Sequence, residues 1–109
     1  QIILPPGGNS LIVLNGSTVR IEWSIDGSVS SGNIIFRSWV FIRSGKTERL
    51  GEISGAGKIT ITTKLYEVDI KEPATLILKN VNGSYNGKYT FTLLSPGNSI
   101  SEVDVVIAG

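Results

Sequence analysis

The chain has 109 residues, 40% hydrophobic, 17% charged and 7% aromatic, and its ten basic and nine acidic side chains leave a formal charge of +1. This length suits one compact domain, and the composition excludes a disordered, supercharged or membrane-buried chain as well as the basic footprint of a nucleic-acid or anionic-membrane binder. His, Cys and Met are all absent, which removes the imidazole base, the thiolate nucleophile, the His/Cys metal cage and the disulfide.

Ile, Val and Thr number 32 against three Ala, and β-branched side chains favour pleated strands. In chain order, strands are expected near residues 2–4, 10–14, 17–25, 34–43, 48–53, 58–65, 74–79, 87–94 and 101–108. Val19, Ile21 and Trp23 alternate with Arg20 and Glu22, and Ile59 and Ile61 alternate with Lys58, Thr60 and Thr62, which predicts a core face and a solvent face for each run. Turn signals such as Asn15-Gly16, Ser44-Gly45, Glu72-Pro73 and Pro96-Gly97-Asn98 recur between the runs, the rhythm of a sandwich or barrel. The Asn/Gly-rich segment 80–87 is the one place where a helical turn is expected. No apolar run exceeds four residues, too short for a signal-peptide core or a spanning helix. A start at Gln1 reads as a fragment of a longer chain, with any anchoring segment outside it.

The most specific pattern runs from Leu76 to Phe91: Leu76, Leu78 and Val81, then Gly87, Tyr89 and Phe91. This resembles the corner between strands E and F of the immunoglobulin superfamily, where Tyr89 takes the place of the tyrosine that bonds back across the turn. Upstream, Gly16 to Trp23 resembles strand B, with Trp23 standing where the first cysteine is expected and Phe91 where the second is. Trp39, followed by Gly45-Lys46, Leu50 and Ile53, resembles the strand C tryptophan and the C to C′ connection of variable-type domains. Tyr85 stands where the family usually has an Asp, so the usual salt bridge there is expected to be lost.

The resemblance implies an all-β, immunoglobulin-like sandwich of variable type over residues 1–109, with two antiparallel sheets and no disulfide. Trp23, Trp39, Tyr89 and Phe91 then form its structural core. Burying large aromatic rings returns roughly 1.5 to 3 kcal/mol each and ring pairing about 0.5 to 1.5 more, against the about 2 to 5 kcal/mol of a lost disulfide. A Trp in strand B is also found in fibronectin type III domains, but residues 43–73 leave room for C′, C″ and D, more than that seven-stranded module needs. The disulfide-free variable-like pattern is further similar to ectodomains of cnidarian allorecognition receptors. That likeness implies a domain of a single-pass cell-surface protein that meets its own kind on a neighbouring cell.

Catalytic chemistry is poorly supported. Thirteen Ser have no His to activate them, and Ser44 with Lys46 lies in a turn that offers no desolvated lysine. Glu67 with Asp69, and Glu102 with Asp104, are paired carboxylates better read as solvated strand faces than as a cation site. Gly55-Ala56-Gly57-Lys58 lacks phosphate-loop spacing. No cofactor, metal, nucleic acid or direct membrane contact is expected. Asn15-Gly16-Ser17 and Asn82-Gly83-Ser84 match the N-glycosylation sequon, with Asn15 and Asn82 as acceptors, although Asn-Gly turn chemistry explains them equally well. Glycan binding would need exposed aromatics, and only Tyr66 and Tyr85 are candidates.

If Trp39 points inward, Val40 and Ile42 point outward on the G-F-C-C′ face, with Arg43 at the strand's end. Thr90, Thr92 and Leu94 join them from strand F, and Val106 from strand G. This predicts an apolar protein-binding patch that includes Leu50 and is flanked by Arg37, Lys88, Glu52 and Asp104. Both charge signs suit self-recognition, with specificity in the loops 28–33, 44–49 and 95–99. The alternative is a passive spacer, an immunoglobulin-like or fibronectin-like stalk.

Overall fold

The computed structural model describes residues 2–5, 8–25, 34–64, 66–72, 74–94 and 98–108. Their β-branched runs become strands β1 (Ile2–Ile3), β2 (Ser10–Leu14), β3 (Val19–Glu22), β4 (Ser24–Ile25), β5 (Phe36–Arg43), β6 (Lys46–Ser54), β7 (Ile59–Ile61), β8 (Val68–Lys71), β9 (Thr75–Leu78), β10 (Gly87–Leu94) and β11 (Asn98–Ala108). A six-stranded sheet in the order β2-β11-β10-β5-β6-β7 faces a three-stranded sheet β3-β9-β8, and β1 pairs with β4. β3 and β4 are one run that changes partner after Trp23: the Trp23 N–H extends the pairing with β9 by donating to the carbonyl of Ala74 at 3.1 Å, and Ser24 and Ile25 then pair with β1. The pairings are antiparallel except that of β2 with β11, which is parallel. These two strands lie at opposite ends of the sequence, so no hairpin dictates their relative sense.

The expected strand over 58–65 shortens to β7, and β8 forms at Val68–Lys71, where no strand was expected. β7 ends at Ile61, and the next two N–H groups, of Thr62 and Thr63, both reach the carbonyl of Leu50 at 2.9 and 3.3 Å. The chain then crosses to the other sheet to form β8. The alternation read for Ile59 and Ile61 is overturned as well, because all three residues of β7 are exposed. This strand is the outer edge of its sheet, where inward parity no longer guarantees cover.

Register gathers the large rings. Phe91 lies opposite Trp39 and Tyr89 opposite Phe41, so the rings share the inner face of the six-stranded sheet. Trp23 reaches them from β3's layer: its centroid is 5.5 Å from that of Phe91, which stacks on Trp39 at 4.9 Å. The Trp23 indole N–H also donates to Ser101 Oγ on β11 at 3.1 Å, tying one layer to the other. Trp23, Trp39, Tyr89 and Phe91 are all buried, as the sequence predicts.

A single 3-10 turn, Gly83–Tyr85, occupies the segment expected to be helical. Asn82 caps it by accepting from the Ser84 N–H at 2.8 Å. Tyr89 donates its hydroxyl to the carbonyl of Tyr85 at 2.6 Å, the corner bond that the spacing implies. Where an acidic side chain is usual, the buried Tyr85 packs its ring edge-on to Tyr66 at 5.1 Å and accepts the Glu67 N–H at 2.8 Å. Tyr85 is therefore not an exposed aromatic, and the glycan platform expected to need it is missing one of its two rings. An ion pair sits elsewhere, between buried Arg37 and Glu72 at 3.3 Å.

Candidate protein-binding face

The outer face of the six-stranded sheet is set by the parity of its core. Trp39 and Phe41 point inward on β5, so Phe36, Ser38, Val40 and Ile42 point outward; on β10 the inward Tyr89, Phe91 and Leu93 leave Lys88, Thr90, Thr92 and Leu94 outside. On β11 the outward residues are Ile100, Glu102, Asp104 and Val106. The pairing arranges them in rows across the strands. One row reads Glu52, Ser38, Thr92, Ile100; the next Arg49, Val40, Thr90, Glu102; the next Thr47, Ile42, Lys88, Asp104.

Val40, Ile42, Thr90, Thr92 and Leu94 are half-buried on this face, Glu52 lies beside them, and Asp104 and Val106 are exposed. Arg43 is exposed at the end of β5 but has the parity of Phe41, so it closes the end of the sandwich and does not join the Val40/Ile42 row. Two expectations are corrected. Leu50 is fully buried, because a bulge opposite Trp39 and Val40 turns both Leu50 and Gly51 inward and restores outward parity only at Glu52. Arg37 is buried too, since it shares Trp39's parity, and it does not flank the patch.

Sequence reasoning missed four apolar residues of this surface. Ile12 and Leu14 on β2 are 76% and 70% exposed and lie beside Val106 and Ala108, Ile100 is 66% exposed, and Phe36 sits opposite Leu94. In Leu11-Ile12-Val13-Leu14 every residue is apolar, so no alternation identifies the outer pair; only the pairing with β11 does. Ile100 stands next to Ser99 and Ser101, an alternation that was readable. The charges on the face are of both signs: Lys88 bridges to Glu102 at 3.6 Å, with Arg49, Glu52 and Asp104 around them.

Asn15 and Asn82 are both exposed. The loop 28–33 and residues 95–97 lie outside the described residues. Among the described residues no group of three or more His, Cys, Asp or Glu is placed to hold a metal ion.

No family model and no curated protein sequence matches the chain. Solved structures do. One, from site-directed photo-crosslinking analyses of multimeric cell-adhesive interactions of VGSC beta subunits, is 14% identical over 91% of this chain and 90% of that chain, with a TM-score of 0.72. Another, from parallel homodimer structures of the extracellular domains of the voltage-gated sodium channel beta4 subunit that explain its role in cell-cell adhesion, is 14% identical over 93% of this chain and 92% of that chain, with a TM-score of 0.69. At this identity the likeness is one of fold, and the fold is an immunoglobulin-like β-sandwich of variable type, built without cysteine.

Proposed function

We propose that residues 1–109 form one recognition domain on the extracellular part of a single-pass cell-surface protein, acting in adhesion by binding the same domain on another cell. The observation that carries this reading is the outer face of the six-stranded sheet. Its centre carries Val40 and Ile42, and across a polar strip of Thr90, Lys88, Glu102 and Asp104 it carries a second apolar group, the exposed Ile12, Leu14 and Val106, with the exposed Ile100 beside Thr92. A monomeric spacer has no use for several exposed apolar groups on one sheet face, because such surface marks an interaction site. Charges of both signs at the rim let this surface meet a copy of itself without net repulsion. The cell-adhesive roles of the two structural neighbours support the adhesion reading, within which an allorecognition type of receptor is the finer proposal. The exposed Asn15 and Asn82 suit glycan attachment on the secretory route, and the chain acts by binding alone.

The test is aggregation of beads coated with the domain, with sedimentation of the domain in solution alongside. The double change Val40→Asp, Ile42→Asp is expected to abolish bead aggregation and to lower self-affinity at least about tenfold, since two buried carboxylates per copy are left unpaired. Aggregation equal to that of the parent domain would overturn the assignment of this face.

A further inference from the structure

One cross-strand row has a polarity that selects a partner geometry. Arg49, Val40, Thr90 and Glu102 lie side by side on β6, β5, β10 and β11. A cation therefore stands at one end of the row, a carboxylate at the other, and small or apolar side chains between them. Resting on the self-recognition reading above, we infer that two copies of the domain pair face to face about a two-fold axis running along the strands between β5 and β10, with Arg49 of each copy set over Glu102 of the other. This axis leaves both Ala108 ends on the same side, so copies on opposed cells meet in this way with their strands lying along the two surfaces.

The geometry follows from strand spacing. Neighbouring strands lie about 4.8 Å apart, which puts Arg49 and Glu102 about 7 Å to either side of such an axis. Rotation about it carries β6 over the partner's β11 and β5 over the partner's β10. Val40 then meets Thr90, Arg49 meets Glu102 twice, Thr47 meets Asp104, and Ile42 lies along the aliphatic stem of Lys88. Twisted sheets cross at about 30°, which displaces the outer members of the row by roughly 4 Å, a gap that the long Arg49 side chain spans. Glu102 already accepts Lys88 within its own chain at 3.6 Å, so Arg49 adds a second cation to one carboxylate. The mismatch is Glu52 over Ile100, at the edge of the contact.

An axis running across the strands through the same row gives the opposite result. It sets Arg49 over Arg49 and Glu102 over Glu102, and like charges in register are costly. Shifted toward Ser38, that axis brings Arg49 over Glu52 instead. The two arrangements therefore predict different rescue partners.

The experiment is bead aggregation and sedimentation of the 109-residue domain carrying Arg49→Glu, Glu102→Arg or Glu52→Arg, alone and in equimolar pairs. Each variant is first matched to the parent in thermal unfolding. Arg49→Glu and Glu102→Arg alone are each expected to weaken self-association at least tenfold. Mixing them restores it to within about threefold of the parent, because both cross-pairs are then opposite in sign. That rescue cannot come from the Lys88 contact, which lies within one chain. A parent that self-associates, with neither single variant weakened or with Arg49→Glu rescued by Glu52→Arg instead, overturns the pairing and leaves the self-recognition reading standing. A parent that is monomeric and does not aggregate beads removes both.

Discussion

Tyr89 joins the corner of the sandwich to a measurable property. Its hydroxyl is buried and donates to the Tyr85 carbonyl at 2.6 Å. Burial, and then the nearby Tyr66 and Tyr85, push its pKa well above the ordinary 10.0, with Arg43 opposing. The folded state thus keeps the proton after the unfolded chain has lost it. The contribution is complete below pH 10 and is lost as pH climbs above it. Urea titrations between about pH 9 and about pH 11 are expected to show the parent losing about 1.4 kcal/mol more per pH unit above pH 10 than Tyr89→Phe, which is already weaker by about 1 kcal/mol at neutral pH. Parallel limbs for the two proteins would mean that the phenol is not held protonated. The place of Tyr89 was legible from its spacing to Gly87 and Phe91. What Tyr85 does was not: the sequence shows that an acid is missing, but not that a second ring fills the space against Tyr66.

At the scale of elements, parity reading worked wherever one strand face is covered and failed wherever the ladder slips. β3, β5 and β10 alternate cleanly, and Val19, Ile21, Trp39, Tyr89 and Phe91 were identified on their inward faces, whereas Arg37 was read as flanking the outer patch against the parity it shares with Trp39. β6 does not, because the bulge at Leu50 breaks the two-residue period, and a bulge leaves no mark in composition. β7 misled for a different reason, since an edge strand buries its inward side chains only as far as the opposite sheet extends. The bulge also explains a glycine. A Cβ on Gly51 would stand 2.5 Å from Ile70 Cδ1 and 2.6 Å from the carbonyl oxygen of Thr60. The isoleucine tip can rotate, but the Thr60 carbonyl belongs to the β7 backbone. Gly51→Ala is therefore expected to cost about 1 to 3 kcal/mol in urea unfolding, as overpacking does, and to speed hydrogen exchange at β7 selectively. Unchanged stability, with unchanged exchange at Thr60 and Ile61, would show that β7 yields without resistance.

Across the whole molecule, the two layers are joined where a sulfur bridge would stand by three rings and one side-chain hydrogen bond. Phe91 sits between Trp23 and Trp39, so it is the residue through which the sheets touch at that point. Unlike a disulfide, which acts largely on the unfolded chain, this cluster acts only in the folded state and depends on all its members. Phe91→Ala removes a ring from a site with no solvent access and opens a cavity flanked by two rigid indoles. The expected loss is about 3 to 5 kcal/mol, a large share of the roughly 5 to 15 kcal/mol that holds a domain of this size. In thermal unfolding that is a fall of at least roughly 12 °C. Thr92, one residue further along β10 on the outer face, provides the contrast, since Thr92→Ala removes no inter-layer contact and is expected to cost within about 0.5 kcal/mol. Comparable losses for the two variants would mean that the layers are held by their periphery, and that the ring cluster fills the core without joining it.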